Sequence, residues 1–189
     1  MTENLYSDYA RELHEAIRTL EDESCKRFAN EVLDAFRTRR RIYVCGNGGS
    51  AANASHFAGD TAKSVKDGHG NSLLITCLSD NQACMMAIAN DIEYSEIFHH
   101  QLKGVIEKRD ILVAISGSGN SPNILRAVDY ANSVGALTVG MCGFNGGRLK
   151  EISKLPLHVK SNSMEVVEDA HLSILHYVKR FVIEQAGIR

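Results

Sequence analysis

Ile42-Tyr43-Val44-Cys45-Gly46-Asn47-Gly48-Gly49-Ser50-Ala51 decides the fold of this chain. Four residues of strand type run straight into glycines and a hydroxyl, and a helical run follows from Ala51. The same grammar returns at Ile111-Leu112-Val113-Ala114-Ile115, then Ser116-Gly117-Ser118-Gly119-Asn120-Ser121, with Pro122 opening the next helix. A strand that ends this way at a helix N-terminus is suited to an anion. Free N–H groups point outward there, the helix dipole adds positive charge, and glycine admits close approach. Two such loops predict one phosphorylated ligand held between strand ends.

Outward from these loops, apolar runs predict strands near 41–45, 72–77, 110–115, 137–142 and 156–160. Helical patterns fall near 50–65, 80–90, 93–106, 122–134, 147–153 and 164–186. Short strands alternating with helices predict an α/β fold, a doubly wound parallel five-stranded sheet covered on both faces. Two amphipathic helices lead the chain. Leu5, Tyr9, Leu13, Ile17 and Leu20 mark the first, and Phe28, Val32, Leu33 and Phe36 the second. They belong to no strand–helix–strand unit, so their apolar faces pack on the core or on another subunit. The expected organisation is a single domain over 1–189, with 1–40 contributing to oligomer packing and 41–189 forming the α/β core.

A net charge of −2 gives no reason to expect nucleic-acid binding. The basic run Arg37-Thr38-Arg39-Arg40-Arg41 sits at a helix end, where cations offset the dipole. Cys25, Cys45, Cys77, Cys84 and Cys142 are odd in number, without CxxC spacing, and read as reduced thiols of a cytoplasmic protein. No apolar run approaches the ~18 residues of a membrane span, and no signal peptide is expected.

The first loop is neither a Walker loop nor GxGxxG, since no Gly-Lys-Ser/Thr follows and position 51 is Ala, which disfavours an ordinary nucleotide fold. Ser50, Ser116, Ser118 and Ser121 can donate hydroxyls to phosphate oxygens. His56 and Asp60 share one face of the helix leaving that loop, as a half metal site, an acid/base pair or a surface ion pair. Glu168 and His176 share a similar face of the last helix, with His171 between them. Four groups of types His, Asp, Glu and His suit a borderline divalent metal such as zinc, although the spacing is equally met by two solvated faces that never meet. Asn90-Asp91 reads as a helix cap or as a holder of sugar hydroxyls. His69 falls in a loop, and His99-His100 diverge on a helix.

Taken together, Cys45-Gly46-Asn47-Gly48-Gly49-Ser50-Ala51-Ala52, His56-Phe57-Ala58, Ala89-Asn90-Asp91, Ile115 to Ser121 and Glu168-Asp169-Ala170-His171…His176 resemble the phosphoheptose isomerase branch of the sugar isomerase (SIS) domain family. The likeness covers nearly the whole chain. It implies a flavodoxin-like SIS fold and a homotetramer with active sites at subunit interfaces. It also implies interconversion of sedoheptulose 7-phosphate and glycero-manno-heptose 7-phosphate for bacterial surface polysaccharide. On this resemblance Asn47, Gly48, Gly49, Ser50, Asn90, Asp91 and Glu168 contact substrate, and Ser116, Gly117, Ser118 and Ser121 cradle the phosphate. His56, Asp60, Glu168 and His176 hold one zinc ion, and Asp60, His176 and Glu168 are the catalytic candidates. The chain departs from the family pattern at several points. Asp60 stands for glutamate, Gly117 for threonine, and Val166-Val167-Glu168-Asp169 for Arg-Ile-Gln-Glu, while Lys63 or Lys66 would replace an arginine. The alternative reading is a non-catalytic SIS phosphosugar sensor or replication-initiator-associating protein.

Overall fold

The structure is a computed structural model that describes residues 4–68 and 70–188; His69 lies outside them. Helices α1 (Leu5–Arg18) and α2 (Asp22–Thr38) lead into β1 (Ile42–Gly46) and α3 (Gly48–Ser64). Next come β2 (Ile75–Cys77), α4 (Gln82–Asp91), a 3-10 turn (Tyr94–Glu96) and the short α5 (His99–Leu102). The chain continues through β3 (Ile111–Ser116), α6 (Pro122–Ser133), β4 (Leu137–Cys142), α7 (Gly147–Ile152), β5 (Leu155–His158) and α8 (Met164–Gln185).

All five strands are parallel, in the order β2-β1-β3-β4-β5. Alternate strand residues feed two cores. Ile42, Val44, Val113 and Ile115 pack toward α2, α3 and α8, while Tyr43, Cys45, Leu112 and Ala114 pack toward α4 to α7. The period of two thus buries both sheet faces. The chain winds from β1 outward to β2, then returns to place β3 on the other side of β1. The loops after β1 and β3 therefore flank the topological switch point, where open α/β sheets bind ligands.

Three sequence expectations shift. The helix expected from residue 50 already starts at Gly48, because the loop is so tight that its glycines form the first helical turn. The strand expected over 72–77 is ordered as strand only at 75–77; Ser72 instead makes an isolated antiparallel bridge with Lys66. The single helix expected over 93–106 is broken. Glu93 is extended, the turn Tyr94–Glu96 is 3-10, and Gly104 takes φ +75°. Glu93 and Glu96 both reach Arg126 of α6, and these ion pairs tie the segment to its neighbour.

Phe28 and Val32 are fully buried and Leu33 nearly so, as expected of α2, and Arg39 ends that helix in the left-handed conformation at φ 59°. On α1, Tyr9 and Leu13 pack on the core, but Leu5 and Ile17 remain exposed. All five cysteines are free thiols. No helix among the described residues is long and apolar enough to cross a membrane.

Candidate active site

Both glycine/serine loops line one cavity of about 260 Å³. Asn47, Gly48, Gly49, Ser50, Ser116, Gly117, Ser118 and Ser121 all contribute to its wall, as do Met164 and Glu168 of α8. Gly48 has φ +53°, a conformation an L side chain rarely adopts. A Cβ on Gly49 would lie 2.2 Å from the Glu168 carboxylate, so glycine here is what lets α8 approach. In the second loop Ser116 and Ser121 share a hydroxyl hydrogen bond of 3.1 Å. Gly117 lies directly under Met164, whose Sδ would be 2.4 Å from an added Cβ. The thioether thus occupies the space that a side chain at 117 would need.

No lysine or arginine among the described residues lines this cavity. The partial positive charge available to an anion there is that of helix N-termini, those of α3 and α6 above all. Among the described residues the one ionisable group in its wall is Glu168. Burial pushes its carboxyl up, and Glu165 and Asp169 nearby push in the same direction.

The site continues away from the loops as a seam between α3 and α8. These helices run in the same direction and meet in sequence. Gly49 faces Glu168, Asn53 donates to the Glu168 carbonyl at 2.9 Å, His56 faces His176, and Asp60 faces Lys179. At 1.5 Å per residue, His56 lies about 10 Å along α3 from Gly49. His56 Nε2 is 2.9 Å from His176 Nε2, with the rings edge-on. Asp60 Oδ2 lies 3.9 Å from His56 Nε2 and 2.5 Å from the Lys179 ammonium. Lys179 holds the Asp60 carboxyl below its usual range, chiefly by that hydrogen bond.

His56, Asp60 and His176 each offer a donor atom within 4.8 Å of the others. Two imidazole nitrogens and a carboxylate oxygen suit a divalent ion of zinc type. Two nitrogens on one tetrahedral ion at 2.0–2.1 Å are roughly 3.3 Å apart, so the 2.9 Å pair needs to open only by a few tenths of an ångström. The fourth ligand expected from the sequence, Glu168, is not brought to this group. It stands eight residues before His176, a rise of about 12 Å, and its carboxylate lies against Gly49 instead.

Asn90 and Asp91, expected at the substrate, lie outside the cavity within this chain. They are exposed at the end of α4, where Asn90 donates to its neighbour's carboxylate at 2.8 Å. Lys63 and Lys66 are exposed, and the cation on Asp60 is Lys179, which sequence reading passed over. Its signal was present: Lys179 follows His176 by three residues, hence on one helix face. His171 turns away from the seam. It is fully buried, neither ring nitrogen has a hydrogen-bond partner among the described residues, and burial drives its pKa down to about 4. The nearby Cys142 backbone offsets only part of this, from outside hydrogen-bonding geometry.

A doubly wound parallel sheet with paired glycine/serine loops at its switch point defines a class of small α/β domains, and the SIS domain profile matches residues 5–143. A phosphoheptose isomerase of Helicobacter pylori is 34% identical over 155 residues, covering 82% of this chain and 80% of that protein. One from Nitratiruptor is 34% identical over 80% of this chain and 81% of its own length. The solved phosphoheptose isomerase of Neisseria gonorrhoeae superposes with a TM-score of 0.86 at 26% identity, covering 95% of each chain. The chain belongs to the SIS domain family, in its phosphoheptose isomerase branch.

Proposed function

We propose that this chain isomerises sedoheptulose 7-phosphate to D-glycero-D-manno-heptose 7-phosphate through an enediol, supplying heptose for bacterial surface polysaccharide. The observation that carries the reading is the seam itself. A phosphate-type cavity sits at one end and a His–His–Asp group at the other, along two parallel helices.

The loop hydroxyls and N–H groups hold the phosphate, which fixes one end of the substrate. The reacting carbons, C1 and C2, are at the opposite end of a seven-carbon chain. Position therefore favours Asp60 and His176 over Glu168 for the proton transfers, since geometry precedes basicity in choosing a base. Asp60 takes the C1 proton next to the C2 carbonyl, and the electron pair moves to form the enediol. His176 gives a proton to the C2 oxygen as the enediol forms and takes one back from the C1 hydroxyl, while the proton held on Asp60 goes to C2, so both groups end as they began. Lys179 holds Asp60 ionised and in place, and the same hydrogen bond, by lowering its carboxyl, weakens it as a base. Glu168 stands at the cavity end, beside Gly49, where it accepts hydrogen bonds from sugar hydroxyls. His56, Asp60 and His176 would hold a zinc ion, which when bound polarises substrate oxygens. An Asp60 that ligates the ion loses basicity, so its two roles compete.

The domain assignment follows the same reading: one domain over 1–189, cytoplasmic, acting on a small sugar phosphate without nucleic acid or membrane partners. It assembles as a homotetramer with sites at subunit interfaces. The exposed Leu5, Tyr6 and Ile17 on α1 support burial of that helix in an assembly.

The test is turnover of sedoheptulose 7-phosphate by the purified protein, with zinc and with chelator, alongside Asp60→Asn and Glu168→Gln. Metal-dependent product, abolished in Asp60→Asn with sugar-phosphate binding retained and only reduced in Glu168→Gln, is the expected result. The opposite ranking would transfer the base to Glu168, and no product at all would refute the isomerase reading.

A further inference from the structure

Asn47 is the N-cap residue of α3, yet its side chain makes no cap bond. Its amide is committed elsewhere. Asn47 Nδ2 donates to Asn123 Oδ1 at 3.0 Å, and Asn123 Nδ2 donates back to Asn47 Oδ1 at 2.9 Å. The Tyr94 hydroxyl donates to that same Asn47 oxygen at 3.0 Å. Both acceptor positions of Asn47 are then filled, and a single amide hydrogen remains for a ligand.

These bonds join three elements. Asn47 belongs to the first anion loop. Asn123, only 1% exposed, is the second residue of α6, immediately after the second loop. Tyr94 comes from the 3-10 turn, which is itself tied back to α6. Arg126 binds Glu93 and Glu96 at 2.5 Å each, and His99 pairs with the other oxygen of the buried Glu96. The result is a closed circuit: α6, Asn123, Asn47, Tyr94, the turn, Arg126 and α6 again. Of its members only Asn47 lines the cavity.

We propose that Tyr94 is a positioning residue that sets the separation of the two anion loops by fixing Asn47 against Asn123. The proposal rests on the phosphosugar reading of the cavity. The loops bind through neutral donors without a cation, so their affinity depends on how accurately both sets of donors converge. Arg126 and the buried Glu96 give the turn the rigidity that an exposed tyrosine could not supply alone.

Tyr94→Phe tests this cleanly, because the ring is 59% exposed and only one hydrogen bond is removed. The expected outcome is a KM for sedoheptulose 7-phosphate raised about two- to tenfold, the range for one neutral hydrogen bond. The kcat should stay within about twofold and the melting temperature near that of wild type. A merely structural hydroxyl would move melting temperature and not KM, and that result overturns the proposal.

Combining Tyr94→Phe with Ser121→Ala separates positioning from direct contact. Ser121 does not touch Tyr94, so coupling between them must pass through the loops. A double variant whose KM rise is smaller than the product of the single rises supports the proposal, and a multiplicative rise overturns it. Calorimetry with inorganic phosphate repeats the series without turnover. If wild type binds phosphate but isomerises no heptose, the enzyme reading fails while this proposal is judged on Kd. An unchanged Kd in Tyr94→Phe overturns it, and a wild type that binds no phosphate overturns both.

Discussion

His171→Leu is expected to make the protein less sensitive to acid. The imidazole is fully buried on the inner face of α8, without a partner on either nitrogen among the described residues, and its pKa falls from an ordinary 6.5 to about 4. The sign follows from proton counting. Between these two values the unfolded chain binds a proton that the folded chain refuses, so stability falls as pH drops through this window. The full difference of 2.5 pH units corresponds to about 3 kcal/mol, of which about 2 kcal/mol is already lost at pH 5. Leucine is close in volume, removes both unpaired nitrogens and cannot titrate. At pH 7.5 the variant should match or exceed wild type, since replacing an unsatisfied buried polar group with an apolar one is neutral or favourable. Urea denaturation at pH 7.5, 6, 5 and 4.5 measures the gap between the two proteins. Groups common to both, including Asp60, cancel in that difference. The gap should widen in favour of the variant by about 2 kcal/mol between pH 7.5 and pH 5. Parallel pH profiles, or a variant that is the more acid-sensitive of the two, would refute the account of a neutral, unpartnered histidine.

Gly117→Ala forces the flexible end of Met164 outward, because the new Cβ would lie 2.4 Å from Sδ. Stability should fall by about 1 kcal/mol or less while KM rises several-fold, and adding Met164→Ala should restore the KM. Asp60→Asn should lower bound zinc as well as turnover, read by metal analysis after dialysis; unchanged metal content would remove Asp60 from the ligand group.

The sheet was legible in the sequence because its strands are short apolar runs, with glycine at or just after the ends of β1, β3 and β4, and both faces need covering. The cavity between the two loops was legible for the same reason: its lining is local to two contiguous stretches of chain. His56, Asp60 and His176 were legible as helix faces, but their meeting depends on how α3 and α8 align, which no local spacing encodes. Glu168 shows the limit. Sharing a helix face with His176 did not put it at the same point along the axis, because eight residues of rise separate them. Tyr94 was hidden for a different reason. The segment 93–106 has the pattern of one helix, and the turn that presents the hydroxyl is held by long-range ion pairs to Arg126. Lys179 was visible in its spacing from His176, whereas Lys63 and Lys66 neighbour Asp60 only in sequence.

The parallel alignment of α3 and α8 gives the seam a fixed length, and a fixed length can count carbons. A substrate tethered by its phosphate at the glycine end presents C1 at a distance set by its own number of carbons. On the proposed binding mode, a five-carbon phosphate tethered in the same place would stop short of His56 and His176, and an eight-carbon one would overrun them. Discrimination of this kind needs no side chain that recognises a particular hydroxyl. It is written in helical rise, which point mutations leave untouched, so selectivity for chain length should survive substitutions that alter selectivity for stereochemistry.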